Sequence, residues 1–138
     1  MFAAAKWDTR KMARIIYGVA GEGFGHSSRS HLIGQRLIDA GHDVMFVGSQ
    51  KSLLYLKQYF SRRVKEIFGL SFAFEGGRID KSETLKKNLL KLPEANRLND
   101  ELFKQHFEPF DPELIISDFE PFSAWWAWRN GVPFISID

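Results

Sequence analysis

The hydrophobic pattern of this chain alternates between short apolar runs and longer segments whose apolar residues recur at helical spacing. The apolar runs have the length and composition of buried strands, and they occupy residues 15–19, 43–47, 64–68, 114–117 and 133–137. Segments with helical spacing follow the first, second and fourth of these runs, at residues 27–40, 52–60 and 121–129. Because strands that alternate with helices through short connections pair in parallel, the pattern predicts an α/β fold. We expect a doubly wound parallel sheet of about five or six strand–helix units.

The rest of the apolar residues are expected to form one further strand and to cover the sheet. Residues 72–75 are the candidate strand, closed by two glycines. Two polar helices, 81–92 and 94–107, are expected on either side of Pro93, since proline ends most helices. Each helix has an apolar stripe that would cover one face of the sheet, formed by Leu85, Leu89, Leu90 and Leu92 in one and by Leu98, Leu102, Phe103 and Phe107 in the other. The last helix carries three tryptophans that are expected in the core rather than on a sugar-binding surface, namely Trp125, Trp126 and Trp128.

Four glycines lie in or directly after the first strand, at positions 18, 21, 23 and 25. Ser27 and Ser28 follow them and are expected to cap the first helix. A glycine-rich turn lets the backbone approach a ligand closely, and a helix start offers unpaired N–H groups and the positive end of the helix dipole. The sequence therefore predicts an anion-binding mouth between the first strand and the first helix.

The glycine spacing excludes two common nucleotide sites. A dinucleotide fingerprint would have a third glycine where this chain has His26, and an acidic residue where the second strand ends in Gly48-Ser49-Gln50. A phosphate-binding P-loop would need a lysine followed by serine or threonine after the glycines, and the chain has none there. What remains is a turn that places an imidazole, His26, and a guanidinium, Arg29, at a helix N-terminus.

Composition and charge narrow the class of protein further. Apolar residues make up 44% of the chain and charged residues 26%, as in ordinary globular domains. The net charge of +2 and the sequence pI of about 8.9 do not indicate a nucleic-acid partner, but they are compatible with an anionic substrate or a membrane surface. The absence of cysteine excludes disulfides and thiolate metal sites and fits a reducing cytoplasm, and no metal is expected. Residues 1–11 are expected to be a flexible leader and residues 12–138 a single domain.

Two motifs resemble glycosyltransferases of the GT-B fold, which is built from two Rossmann-like domains. The first is Gly23-Phe24-Gly25-His26, with Arg29 one helical turn later. The second is the run 112–119, Pro-Glu-Leu-Ile-Ile-Ser-Asp-Phe, with Gly131-Val132-Pro133 after it. The resemblance is to the family of the peptidoglycan N-acetylglucosaminyltransferase and its uncharacterised relatives. It implies that the chain is the N-terminal, acceptor-side domain of such an enzyme, one half of the GT-B architecture.

The resemblance also implies a catalytic pair, His26 and Asp118. In the natural-product and plant branches, the aspartate of the second motif partners the histidine of the first loop. An acceptor hydroxyl needs a base to remove its proton; a neutral imidazole suits that role near pH 7, and a carboxylate behind it stabilises the imidazolium. Members near the peptidoglycan branch do not all use this pair, so ligand binding or loop structure is the alternative role of His26.

The same resemblance implies a set of substrate-binding residues, namely Gly23, Phe24, Gly25, Ser27, Arg29 and Glu120. Within this set, Arg29 is expected to hold a phosphate or carboxylate of the acceptor, or else to be a solvated helix arginine. Glu120 could compete with Asp118 as the base or as its partner, since it lies two positions away in the chain. These roles depend on the tertiary structure.

The partners implied by the resemblance are a sugar or lipid-linked acceptor and a separate donor-binding half. That half, a C-terminal domain or a second subunit, would bind the nucleotide-sugar, a UDP-sugar, which is a co-substrate rather than a cofactor. The chain alone is therefore expected to bind nucleotide-sugar poorly and to transfer nothing. The segment 53–56 beside Arg62 and Arg63 is expected to be a core helix followed by a solvated basic turn, and a peripheral contact with the inner face of the membrane is the alternative. The competing function is a non-catalytic Rossmann-like module that binds a nucleotide or a phosphorylated small molecule.

Overall fold

The computed structural model describes residues 11–69, 73–75 and 78–137. The expected leader, residues 1–11, lies outside the described residues except for Lys11. In chain order the elements are β1 (Arg14–Val19), α1 (Phe24–Asp39), β2 (Asp43–Gly48), α2 (Gln50–Phe60), a 3₁₀ turn (Ser61–Arg63), β3 (Val64–Glu66), β4 (Ala73–Glu75), β5 (Arg78–Asp80), α3 (Lys81–Leu102), a π-helical turn (Phe103–Phe107), α4 (Glu108–Phe110), β6 (Leu114–Asp118), α5 (Pro121–Asn130) and β7 (Phe134–Ile137).

The main sheet is parallel and has the strand order β3-β2-β1-β6-β7. The chain moves outward from β1 to β2 and β3, then crosses back to place β6 on the other side of β1. The order therefore reverses between β1 and β6, and the carboxyl ends of these two strands border the crevice where open α/β sheets bind ligands. Val19, at the end of β1, is in register with Asp118, at the end of β6.

Helices cover both faces of the sheet, which confirms the doubly wound α/β fold. Alternate residues of β1 point to opposite faces, so Ile15 and Tyr17 belong to one hydrophobic cluster and Ile16 to another. The first cluster includes α1 and α2 residues such as Leu56. The second includes the end of α3, the π-helical turn and α5, with Phe107 fully buried.

Helix α1 begins earlier than the sequence predicted. Its N-cap is Gly23, with φ of 83°, and neither Ser27 nor Ser28 caps it. Glycine adopts this positive φ without a steric penalty, so the helix can start directly after the turn. Ser27 instead lies buried on the inner side of the first turns, and Ser28 Oγ donates a hydrogen bond to the Gly25 carbonyl oxygen at 3.2 Å. As a result, His26 belongs to the first turn of the helix and not to the loop.

The prediction that Pro93 separates two helices was wrong, because α3 runs through it without a break. The flanking residues are exposed, so water can solvate the carbonyl that proline leaves without a donor. The expected packing of the first leucine stripe was also wrong, since those side chains are exposed: Leu85 by 61%, Leu89 by 59%, Leu90 by 74% and Leu92 by 39%. Only the later part of this helical region covers the sheet.

Three further expectations are corrected or refined by the structure. The candidate strand at 72–75, of which Phe72 lies outside the described residues, forms an antiparallel hairpin, β4–β5, apart from the main sheet. Of the three tryptophans in α5, Trp126 is buried, while Trp125 and Trp128 are 44% and 73% exposed. Within the segment 53–56, Leu53 and Leu56 are buried in the core, as the expected core helix requires. No helix in the described part of the chain is both long and apolar enough to cross a bilayer.

Candidate active site

The site lies where β1 and β6 end side by side. The first turn of α1, which follows the glycine turn, carries His26, whose side chain is 31% exposed. Asp118 is the last residue of β6, and its side chain is fully buried. The backbone N–H of Ala20 donates to the carbonyl oxygen of Asp118 at 2.9 Å, which ties the start of the glycine turn to the end of β6.

His26 and Asp118 are in direct contact, as their placement at neighbouring strand ends led us to expect. Nδ1 of the imidazole lies 2.7 Å from Oδ1 of the carboxylate, across 92 positions of sequence. A neutral ring that donates from Nδ1 to this carboxylate leaves Nε2 as its proton acceptor. The buried carboxylate therefore fixes the orientation of the partly exposed imidazole.

Arg29 holds the same carboxylate through both oxygens. Its Nε donates to Oδ2 of Asp118 at 2.9 Å and its Nη2 donates to Oδ1 at 2.6 Å, a bidentate pair. Ser30 Oγ adds a bond to Oδ2 at 3.3 Å. In the structure the guanidinium of Arg29 binds the carboxylate of Asp118. That Arg29 binds a phosphate or carboxylate of the acceptor stays a prediction.

Ser30 is a site residue that the sequence reasoning missed. The spacing in the sequence could have indicated Ser30. Positions 29 and 30 lie three and four residues after His26, so all three share one face of α1. The imidazole, the guanidinium and the hydroxyl therefore reach one carboxylate from a single helix.

One exposed aromatic residue lies in the first turn of α1, Phe24, and another directly follows β6, Phe119. Phe119, which follows Asp118, has a φ of 56°, a left-handed conformation that is costly for a bulky residue. Its ring lies 5.3 Å from the imidazole, centroid to centroid, and the residue is 58% exposed. Phe24 is 64% exposed, with the ammonium group of Lys51 5.7 Å from its ring centroid. The sequence motif contained Phe119, but nothing in the pattern indicated its backbone conformation.

Glu120 is the N-cap of α5 and is almost completely buried. Its two carboxylate oxygens accept hydrogen bonds from the backbone N–H groups of Phe122, at 3.0 Å, and Ser123, at 2.7 Å. Burial raises the pKa of this carboxyl group, against the lowering effect of those hydrogen bonds. Glu120 therefore caps α5 and does not pair with His26, and it also lines the small cavity at the glycine turn.

The remaining residues that were expected to bind substrate, at positions 23, 24, 25 and 27, differ in their accessibility. A side-chain carbon placed at Gly23 or at Gly25 would meet no atom within 4 Å, so both positions face open space. Ser27 is fully buried, and its hydroxyl has no partner among the described residues. Gly23, Phe24 and Gly25 thus lie where a ligand could reach them, and Ser27 does not.

An apolar groove begins beside the site. A small cavity of about 30 Å³ at the glycine turn is lined by Phe119 and Pro121, among others. Pro121 also borders a groove of about 380 Å³ between α3 and α5, lined by Leu92, Asn96, Phe122 and Trp125 as well. No group of three or more histidine, aspartate or glutamate side chains within the described residues is arranged to hold a metal ion.

Comparison with known proteins gives a family-level match. The family described as glycosyl transferase family 1 matches residues 13–138. An uncharacterized glycosyltransferase of Methanosarcina mazei is 28% identical over 110 residues, which cover 76% of this chain and 27% of that protein. A second uncharacterized glycosyltransferase, from Methanosarcina acetivorans, is 25% identical over 107 residues with the same coverage. The chain therefore spans about a quarter of the length of the curated relatives it matches.

Two solved structures with a similar fold are glycosyltransferases. The glycosyltransferase of kitacinnamycin superposes with a TM-score of 0.60 at 14% identity, covering 91% of this chain and 30% of that one. CalG4, the calicheamicin glycosyltransferase, gives a TM-score of 0.58 at 17% identity, covering 91% and 32% respectively. At such identities the likeness establishes the fold, and the chain matches about a third of each of these proteins.

Proposed function

Because the chain belongs to glycosyl transferase family 1, we propose that it forms the acceptor-binding half of an inverting glycosyltransferase, with His26 as general base. The contact between His26 and Asp118 is the observation that carries the proposal. It places a partly exposed imidazole at the ligand-binding edge of the sheet and a fully buried carboxylate behind it.

The proposed reaction is a single displacement at the anomeric carbon of the sugar. His26 Nε2 accepts the proton of the acceptor hydroxyl while the hydroxyl oxygen forms a bond to that carbon. The bond from the carbon to the diphosphate oxygen breaks, and the nucleoside diphosphate leaves with the electron pair. Asp118, bonded to Nδ1, stabilises the imidazolium that results. One displacement inverts the configuration and needs no covalent intermediate.

We assign the donor, a nucleotide-sugar and in our proposal a UDP-sugar, to a second half that is a C-terminal domain or a separate subunit. The chain matches only about a third of each GT-B structure compared with it, and its glycine turn lacks the features of a dinucleotide site. In this arrangement the glycine turn and His26 face the acceptor, and the sugar is delivered from the other half.

We further propose that the acceptor is a sugar or a lipid-linked molecule, met at the inner face of the membrane. Leu85, Leu89 and Leu92 recur at intervals of four and three residues, so they share one exposed face of α3. Exposed lysines flank this face, at positions 81, 86, 87 and 91. An anionic membrane surface complements that combination of charge and apolar area. The face runs into the apolar groove at Leu92, which leads to Pro121 beside the site.

Titration calorimetry with the purified chain tests the proposal against a nucleotide-binding module. The probes are UDP, UDP-N-acetylglucosamine and, as an acceptor-like molecule, farnesyl phosphate. The proposal expects weak or no binding of the two nucleotides, and saturable binding of farnesyl phosphate that Phe119→Ala weakens. Saturable binding of either nucleotide by the chain alone would favour the non-catalytic module. Sugar transfer by the chain alone would contradict the assignment of the donor to a second half.

A further inference from the structure

The carboxylate of Asp118 has more hydrogen-bond partners than a histidine-orienting group needs. Four donors converge on its two oxygens, of which one comes from His26, two come from Arg29 and one comes from Ser30. The side chain is completely buried, whereas the side chains of His26 and Arg29 are 31% and 37% exposed. A buried carboxylate needs a compensating positive charge, because desolvation penalises its ionised form.

Among the residues that the structure describes, two groups bound to Asp118 can supply that positive charge, the guanidinium of Arg29 and a protonated His26. If His26 supplied it, the ring would already hold a proton on Nε2 and could not accept one from an acceptor hydroxyl. The guanidinium of Arg29 is always charged, and it donates hydrogen bonds to both carboxylate oxygens of Asp118. Tyr17, the other titratable group whose charge would interact with this carboxylate, is buried, and burial raises its pKa, so it stays neutral.

We propose that Arg29 is a positioning residue whose guanidinium balances the charge of Asp118, so that His26 remains a neutral base beside a buried carboxylate. The inference rests on the proposed function for its catalytic meaning, but its physical content concerns only this chain. Asp118 and Arg29 together carry no net charge, and the group of three becomes positive only when His26 takes the acceptor proton. That positive charge arises as the anionic leaving group forms.

The geometry explains why arginine suits this position better than lysine. The planar fork of a guanidinium fixes the plane of the carboxylate, so Oδ1 is held toward Nδ1 of His26. Nη2 of Arg29 also lies 3.4 Å from His26 Nδ1, so the two donors reach the same oxygen side by side. A lysine would preserve the charge without fixing the plane.

The protonation of the His26 ring tests the inference without any substrate. The chain is labelled with nitrogen-15 histidine, and long-range proton–nitrogen correlation spectra are recorded at about pH 8, where an ordinary histidine is neutral. In the native chain we expect a proton on Nδ1 and none on Nε2. In Arg29→Gln we expect a several-fold larger fraction of rings protonated on both nitrogens. Arg29→Lys should resemble the native chain in charge state, and Arg36→Gln, an exposed arginine on the same helix, serves as the matched control.

If Arg29→Gln does not fold, Arg29→Met takes its place, and the double variant Arg29→Gln/Asp118→Asn shows whether any added protonation depends on the carboxylate. Without the carboxylate no charge needs balancing, so the ring should be neutral in the double variant. A ring that is equally neutral in Arg29→Gln and in the native chain would overturn the inference, as would a doubly protonated ring in the double variant. Neither result depends on transfer, so the inference and the proposed function can fail separately.

Discussion

The imidazole of His26 and the carboxylate of Asp118 touch at 2.7 Å, although 92 positions separate them in the chain. One residue follows the central strand β1 and the other ends its neighbour β6, so the parallel pairing of the two strands brings them to one edge of the sheet. The two side chains meet because β6 pairs directly with β1, with Val19 in register with Asp118. The contact therefore depends on the crossover that places β6 beside β1.

Removing the base should abolish most of the proposed transfer. With the donor-binding half present, we expect His26→Gln to lower the rate by about 10²- to 10⁴-fold, the range for a lost general base. Initial rates of transfer from a UDP-sugar measure the loss. His106→Gln, in the π-helical turn, is the control and should keep the native rate. A His26→Gln enzyme as fast as the native one would remove His26 from the mechanism.

Asp118→Asn should destabilise the fold as well as impair the base. The amide cannot accept all four hydrogen bonds, and its nitrogen would face the donors of Arg29 or His26, so we expect a loss of about 1–3 kcal/mol in the free energy of unfolding. Urea unfolding measures it. Asp43→Asn is the matched control, since Asp43 pairs with Arg63 but is 47% exposed, and we expect that change to cost less than about 1 kcal/mol. Equal losses in the two variants would contradict the buried character assigned to Asp118.

Replacing two glycines near the site by alanine should change the stability of the fold in opposite directions. A Cβ at Gly18 would overlap the buried Ser123 hydroxyl and lie 3.1 Å from Glu120 Oε2, so Gly18→Ala should cost about 1–3 kcal/mol. Gly25 lies in the first turn of α1 with open space around it, so Gly25→Ala should stabilise the helix by up to about 1 kcal/mol. Thermal unfolding distinguishes the two. If Gly25→Ala is more stable yet transfers sugar more slowly, its glycine serves ligand approach and not folding.

Glu120 should make stability depend on pH in a specific direction. Because burial raises its pKa above the ordinary 4.5, the folded state binds a proton that the unfolded state has released in the pH range just above that value. Its contribution to stability is therefore full below about pH 4.5 and falls as pH rises through the raised pKa. In Glu120→Gln this fall should be missing, because the side-chain amide does not titrate. Unfolding free energies across pH test this, with the exposed Glu94→Gln as control; an unchanged pH profile in Glu120→Gln would contradict it.

The exposed leucines of α3 should carry membrane binding if the acceptor is met there. The native chain should co-sediment with vesicles that contain anionic phosphatidylglycerol and less with neutral phosphatidylcholine vesicles. Leu85→Ser/Leu89→Ser should reduce binding by about a hundredfold or more, since each leucine buried in the bilayer contributes about 1.5–3 kcal/mol. Leu54→Ser, which changes a 69% exposed leucine on α2, is the control. Equal losses in the two variants, or no vesicle binding by the native chain, would exclude this surface as the contact.

The sequence by itself determined the α/β class, the positions of the five strands of the main sheet and the two motifs that carry His26 and Asp118. These features depend on the local spacing of hydrophobic residues and on the positions of the glycines, which a single sequence shows directly. It did not determine that Pro93 lies inside a helix, since that depends on water access to one carbonyl. It also did not determine that the α3 leucines are exposed.

Only the tertiary structure decided the roles of Arg29, Ser30 and Glu120. Arg29 and Ser30 find their partner 89 and 88 positions away, on a strand that pairs with β1 only after the chain has crossed the sheet. Glu120 lies two positions after Asp118, but the left-handed backbone of Phe119 turns the chain between them. One carboxylate therefore meets a histidine and the other caps a helix. The local sequence does not indicate that turn. The carboxylates of aspartate and glutamate both accept hydrogen bonds, and only the fold determines which donors each one meets.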